Sequence, residues 1–289
     1  MAGVLRLGGR TFGPHNLVVM AIVNRTPDSF FDRGATYRAD SALRAVERAV
    51  DEGAEIVDIG GVKAGPGVDV DVAEEIRRTV DTIAAVRAAF PEVVISIDTW
   101  RAEVAVEAVA AGADLLNDTW SGADPALARV AARTGAGLVC SHAGGLSPRT
   151  RPHRAAFADV VADVVTTVTG LAERAVSLGV RPDGILIDPA HDFGKNTRHS
   201  LEITRRLGEL AATGWPVLVA LSNKDFIGET LDLPVTERLE GTLAATAVSA
   251  WLGARVFRAH QVRPTRRVLD LVAAVQGHRP PTLSRRGLA

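Results

Sequence analysis

Eight times along its length the chain runs from a short β-branched stretch into a helical one, and each stretch ends on a chemically loaded residue. The stretches are Leu17 to Val23, Glu55 to Ile59, Val93 to Ile97, Asp114 to Leu116, Gly137 to Cys140, Ile185 to Ile187, Pro216 to Ala220 and Arg255 to Phe257. At or just beyond their ends stand Asn24, Asp58 with Gly60 and Gly61, Asp98, Asn117 with Asp118, Ser141 with His142, Asp188, Ser222 to Lys224, and Arg258 with His260. Strict strand-helix alternation implies a parallel sheet with right-handed crossovers. Eight units favour closure, so the predicted fold is an α/β (β/α)8 TIM barrel. Its strands' C-terminal ends share one face, where such barrels keep their chemistry.

The 289 residues fit one barrel of about 250 residues better than two domains. We take residues 1–276 as a single domain and 277–289, rich in proline and arginine, as a polar tail that frays. The segment Val4 to Thr11 and Phe12 turns around Gly8 and Gly9 and is expected to form a hairpin plugging the lower end. Helices are expected over Asp40–Gly53, Val72–Phe90, Arg101–Ala111, Pro125–Thr134, Ala156–Leu178, His199–Leu210, Val235–Leu252 and Pro264–Val275. Three connections exceed a tight turn, Asn24–Asp40, Gly60–Asp71 and Ser141–Ala155, and all belong to the chemical face.

No stretch of about 20 uncharged apolar residues is present, so no membrane partner is expected. A net charge of −1 without a basic stripe argues against nucleic acid and for a small molecule. A single cysteine, Cys140, makes no internal disulfide, and the N-terminus lacks a secretory pattern; cytoplasmic residence is the expectation.

The lysines are only Lys63, Lys195 and Lys224, among 33 Lys and Arg, and all follow strands on the same face. Loops after the last two strands often build phosphate sites in these barrels, and here they carry Ser222, Lys224, Arg258 and His260. Arg258 has a plainer alternative, a salt bridge to a neighbouring barrel carboxylate. Asp58, Asp98, Asp118 and Asp188, with Asn24 and Asn117, suit either a donor-rich heterocycle or a hard cation such as Mg²⁺. For Asp118 a structural tie from strand end to helix is an equal reading. Cys140 and His142 lack the close-spaced partners of a zinc site. His191 and Asp192 form a proton-transfer pair only if adjacent side chains face each other, which they seldom do.

At these residues the chain resembles the dihydropteroate synthase family. Eight collinear segments carry the likeness: Asn24-Arg25-Thr26-Pro27-Asp28-Ser29-Phe30, Asp58-Ile59-Gly60-Gly61, Ser96-Ile97-Asp98-Thr99, Asn117-Asp118, Asp188-Pro189, Phe193-Gly194-Lys195, Ser222-Asn223-Lys224 with Phe226-Ile227-Gly228, and Arg258-Ala259-His260. The resemblance implies a TIM barrel, usually a homodimer, that joins p-aminobenzoate to 6-hydroxymethyl-7,8-dihydropterin diphosphate in folate synthesis. It implies that Asp98, Asn117, Asp188 and Lys224 hold the pterin, that Asn24 contacts Mg²⁺, and that Arg258 and His260 anchor the diphosphate. Asp98, Lys224 and Arg258 are then the catalytic set, and Ser222 and Lys63 join the substrate-binding residues.

The acceptor side departs from the family pattern. Where the family reads Glu-Ser-Thr-Arg-Pro-Gly, this chain reads Val62-Lys63-Ala64-Gly65-Pro66-Gly67. Ser-Arg-Lys has become Ser222-Asn223-Lys224, Arg-Val-His-Asp has become Arg258-Ala259-His260-Gln261, and Met-His-Met has become Ser141-His142-Ala143. Two planar, permanently charged forks are thereby lost, with Lys63 and Arg25 the residues placed to compensate. The expected function is a synthase-type transferase acting on p-aminobenzoate or a related acceptor. The alternative is an inactive or very weak paralogue that binds pterin without turnover. A third reading, independent of the family, makes Lys224 a Schiff-base nucleophile.

Overall fold

The structure, a computed structural model, describes residues 3–26, 39–150 and 156–287. Most of the connection from Asn24 to Asp40 and part of that from Ser141 to Ala155 lie outside the described residues, as do Pro27, Asp28, Ser29 and Phe30 of the first matching segment. The hairpin comprises β1 (Leu5–Leu7) and β2 (Arg10–Phe12), paired antiparallel. The eight expected runs become β3 (Val18–Asn24), β4 (Ile56–Gly60), β5 (Val94–Asp98), β6 (Leu115–Asp118), β7 (Gly137–Ser141), β8 (Ile185–Asp188), β9 (Val217–Val219) and β10 (Ala254–Ala259). They close in sequence order, with β10 pairing to β3, into a barrel of parallel neighbours.

Ten helices are described: α1 (Ala39–Asp51), α2 (Val72–Ala89), α3 (Ala102–Ala110), α4 (Leu127–Thr134), α5 (Val160–Ser177), α6 (Thr197–Arg205), α7 (Leu207–Ala211), α8 (Asp225–Leu231), α9 (Leu239–Trp251) and α10 (Val262–Val275). Local chemistry fixes their starts. Asp71 accepts from Glu74 N at 2.8 Å to open α2, and Asp159 accepts from Val161 N and Ala162 N to open α5. The helix expected over His199–Leu210 breaks at Arg206, whose guanidinium is held by Asp159, Glu202 and Glu209. That expected from Val235 opens as a 3-10 turn and turns α-helical only at Leu239. The short α8 has no counterpart among the expected helices.

Two apolar shells follow from the two-residue period of a strand. Outward residues such as Val19, Val57, Ile59, Ile97, Leu116 and Cys140 pack under the helices. Inward residues Val18, Met20, Ile56, Val94, Leu115, Val139, Leu186, Leu218 and Val256 fill the lower barrel together with Leu5, Leu7 and Phe12 of the hairpin. The plug is therefore part of the core, each of its three side chains stabilising by roughly 1.5 to 3 kcal/mol. Gly137 makes room for it: a Cβ there would stand 2.5 Å from Leu7 and 2.7 Å from the Gly184 carbonyl.

Continuing up the same inward faces by two residues, the apolar column turns polar. Ile56 is followed by Asp58, Val94 by Ser96 and Asp98, Leu115 by Asn117, Leu186 by Asp188, and Val256 by Arg258. The barrel thus has an apolar floor and a polar mouth. Register aligns the mouth, since Asn24, Gly60, Asp98 and Asn117 are consecutive Cα partners across β3, β4, β5 and β6.

Candidate active site in the barrel mouth

Arg258 is the hub of the mouth. From β10 its Nε donates to Asp58 Oδ2 at 2.6 Å and its Nη2 to Asp98 Oδ2 at 2.8 Å. Asn117 Nδ2 donates to the same Asp58 oxygen at 3.1 Å, and Thr119 Oγ1 donates to Asp98 Oδ1 at 2.9 Å. Asp58 is fully buried, a position tolerable for a carboxylate only when charged or strong donors surround it. The plain alternative for Arg258, an ion pair with barrel carboxylates, is therefore the observed geometry. Asp58 holds the network together although the resemblance gave it no role; the inward step from Ile56 to Asp58 is the signal that finds it.

Burial raises the Asp98 carboxyl to about 7; the Arg258 charge opposes the rise and the nearby Asp58 adds to it. Asp188, buried at the end of β8, is also raised by burial, against the pull of Lys224 and of a bond from Ala190 N at 2.7 Å. Lys224 lies across from it, where burial depresses its ammonium and Asp192 and Asp188 oppose the depression. Its Nζ donates to the His191 carbonyl and sits 4.8 Å from the centre of the Phe193 ring. Asp98, Asn117, Asp188 and Lys224 thus converge on one mouth.

Beside them opens a cleft of about 350 Å³ whose walls include Lys63, Gly65, Trp120, Phe193, Lys224 and Asp225. Trp120 and Phe193 meet edge to face with ring centres 5.3 Å apart. Lys63 and Lys224 share this cleft. Lys195 does not: it is buried, and its ammonium donates to the carbonyls of His142, Ala190 and Phe193 at 2.9, 3.1 and 2.8 Å. That lysine braces the loop after β8, where Ala190 and Asp192 adopt left-handed backbone.

The structure decides between several of the alternatives left open by the sequence. Asp118 faces outward and accepts from Trp120 N and Gly122 N, so it ties the end of β6 to the following turn. His191 and Asp192 make no pair: His191 contacts Thr204 Oγ1, while Asp192 accepts from Ser200 Oγ and Phe226 N. His142 contacts Asp163 at 2.6 Å. Arg25 is buried with its Nε donating to the Arg78 carbonyl of α2 at 2.9 Å. That bond ties it to a helix outside the barrel.

The rim beyond β9 and β10 carries two of the departures. Gln261 Oε1 accepts from Ser222 Oγ at 3.3 Å and from Asn223 Nδ2 at 3.2 Å. Ser222 Oγ also accepts from His260 N at 3.2 Å and lies 3.0 Å from His260 Nδ1. Asn223 has φ +57°, a left-handed conformation that asparagine tolerates better than arginine. Where the family pattern has Arg and Asp, this chain has two amides bonded to each other.

A closed eight-stranded barrel whose polar mouth gathers carboxylates, an amide, a lysine and an arginine defines a small-molecule site of the pterin-binding class. A family model described as pterin binding enzyme matches residues 20–260, and the chain belongs to that family. It is 59% identical over 287 residues to a Mycobacterium leprae protein named inactive dihydropteroate synthase 2, covering 98% of this chain and 99% of that one. It is 35% identical over 262 residues to the Escherichia coli dihydropteroate synthase, covering 90% and 91%. The Yersinia pestis dihydropteroate synthase, solved with a sulfonamide drug, superposes with a TM-score of 0.90 at 33% identity over 96% of this chain and all of that one. Among the described residues no helix is long and apolar enough to cross a membrane.

Proposed function

We propose that this chain holds a pterin in the barrel mouth without joining it to p-aminobenzoate, which is the second of the two functions expected from the sequence. The Asn223–Gln261 amide pair carries the reading, because it stands where the family pattern places a guanidinium and a carboxylate. The name of the 59% identical relative supports it. In this reading Asp98 and Asp188 accept from the heterocycle's amino and ring N–H groups. Asn117, with one Nδ2 hydrogen given to Asp58, presents its carbonyl oxygen and its second N–H, and Lys224 donates to a ring acceptor.

Mg²⁺ fits the mouth only in part. Asn24 offers one neutral oxygen at the end of β3, and among the described residues no three His, Cys, Asp or Glu side chains gather to hold a metal. Such a donor set suits an ion that brings water and diphosphate ligands with it, where it would neutralise charge on a leaving group. No step of this proposal depends on it.

We further propose a cytoplasmic homodimer. Val248 and Trp251 on α9 and Leu271 and Val275 on α10 are 48%, 59%, 66% and 66% exposed on two helices packed together, an apolar face suited to a second copy. Light scattering at micromolar concentration checks the pairing.

The function is tested by incubating the protein with dihydropterin diphosphate, Mg²⁺ and p-aminobenzoate while titrating dihydropterin calorimetrically. Pterin binding with no dihydropteroate formed is the expected result. Turnover at rates comparable with a synthase would overturn it.

A further inference from the structure

We infer that the opposite end of the barrel holds a second binding site, for a small phosphorylated anion. The site lies at the N-terminal ends of the strands, below the apolar floor, and owes nothing to the pterin reading.

A cavity of about 620 Å³ opens there, within the size range of small-molecule sites and larger than the cleft beside the mouth. Its charged walls come from segments distant in sequence: Arg10 on β2, Glu55 just before β4, Arg266 and Asp270 on α10, and Arg279 in the tail. The inner wall is fixed to the barrel. Glu55 Oε2 accepts from Val19 N at 2.8 Å, and Arg266 Nη1 donates to Glu55 Oε1 at 3.2 Å and to the Leu17 carbonyl at 2.7 Å.

The outer wall holds guanidinium groups with donors to spare. Of its five N–H groups Arg10 commits one among the described residues, to the Glu55 carbonyl at 3.5 Å, while its charge lies 5.2 Å from the centre of the Phe12 ring. Arg279 pairs with Asp270 alone, a carboxylate that Arg266 Nε also approaches at 2.9 Å. His15 and His278 complete the rim, their ring centres 3.9 Å apart, and each imidazole brings an N–H in either tautomer.

Charge and shape select the ligand. Three guanidiniums face two carboxylates in this cavity, a local positive surplus in a chain of net charge −1. A phosphoryl group presents three strong acceptor oxygens in different directions, so it can take donors from β2, α10 and the tail at once, whereas a planar carboxylate matches a single fork. The volume beyond one phosphoryl group leaves room for an organic remainder. Such an anion joins the hairpin near the start of the chain to the tail near its end.

The test titrates inorganic diphosphate calorimetrically into the full chain without Mg²⁺ and maps amide hydrogen exchange with and without it. Protection is expected over residues 10–17 and 273–282, the segments that the anion would join. Arg10→Gln with Arg279→Gln is expected to weaken diphosphate binding by about ten-fold or more, the loss expected of a charge-assisted bond, and to leave dihydropterin affinity unchanged. Citrate is expected to bind more weakly than diphosphate; equal binding overturns the phosphoryl assignment. No diphosphate binding, undiminished binding in the folded double variant, or protection confined to the loops at the strands' C-terminal ends overturns the site. If the double variant does not fold, by its unfolding temperature, the exchange map of the unaltered chain decides. A chain that binds diphosphate here but no dihydropterin overturns the pterin reading alone.

Discussion

Arg258 on β10 binds Asp58 on β4 through a 2.6 Å bond that reaches past the intervening β3, with Asp58 fully buried and the Arg258 side chain 19% exposed. Removing one partner of such a pair strands the other's charge away from water, which costs more than the pair contributes. Arg258→Met is therefore expected to destabilise the protein by about 3 to 5 kcal/mol. Asp58→Asn, which retains a polar partner of similar shape, should cost less. Chemical denaturation of the two variants checks the order; equal losses would mean that packing, not charge, dominates the site.

Asp98 gives the site a pH dependence of defined sign. Its folded-state value of about 7 lies above that of an unfolded aspartate, so between roughly pH 4 and pH 7 the native state carries the extra proton. Stability contributed by this group is present below that window and is lost as pH rises through it. Pterin binding should move oppositely, because only the ionised carboxylate accepts from two N–H groups. Affinity measured from pH 6 to pH 8 is expected to rise, and Asp98→Asn should flatten the profile and weaken binding. A profile that stays as steep in Asp98→Asn would assign the titration elsewhere.

The hairpin plug is separable from the mouth. Leu7 is fully buried in the lower barrel against Gly137. Leu7→Ala removes apolar contact and leaves a cavity, an expected loss of about 2 to 5 kcal/mol in stability. Pterin affinity at a temperature where the variant remains folded should stay within about two-fold of the unaltered protein, since the apolar floor separates the plug from the ligand. Comparing unfolding midpoints with calorimetric affinities tests both halves of this statement.

Closure and strand order were legible because eight strand-helix units alternate without a break, and all eight strands lie within two residues of their expected ends. The convergence of Asp98, Asn117, Asp188 and Lys224 was legible for the same reason: each ends or follows a strand. What stayed hidden depends on pairing between distant segments. The bond between Asn223 and Gln261 joins residues 38 positions apart, and no local period announces it. The inward or outward sense of Asp118 follows only once Asn117 is known to face the mouth. Arg25 shows the same limit, because charge alone cannot reveal that its Nε is held by the carbonyl of Arg78 on α2.

Two buried ammonium groups, Lys195 and Lys224, separate structure from binding. Lys195 donates to three carbonyls and bridges the loops after β7 and β8, and burial lowers it to about 7. Lys195→Met leaves those carbonyls without a donor, an expected loss of about 1 to 3 kcal/mol in stability. Pterin affinity should change little in that variant. Lys224 meets one carbonyl and faces the cleft, where burial already disfavours its charge. Lys224→Met should therefore keep the unfolding temperature within a few degrees while pterin affinity falls by about ten- to hundred-fold, the loss expected for a charged hydrogen bond. Measuring both properties in both variants gives a crossed pattern if the assignment is right. A Lys224→Met protein that binds pterin normally would remove this lysine from the site.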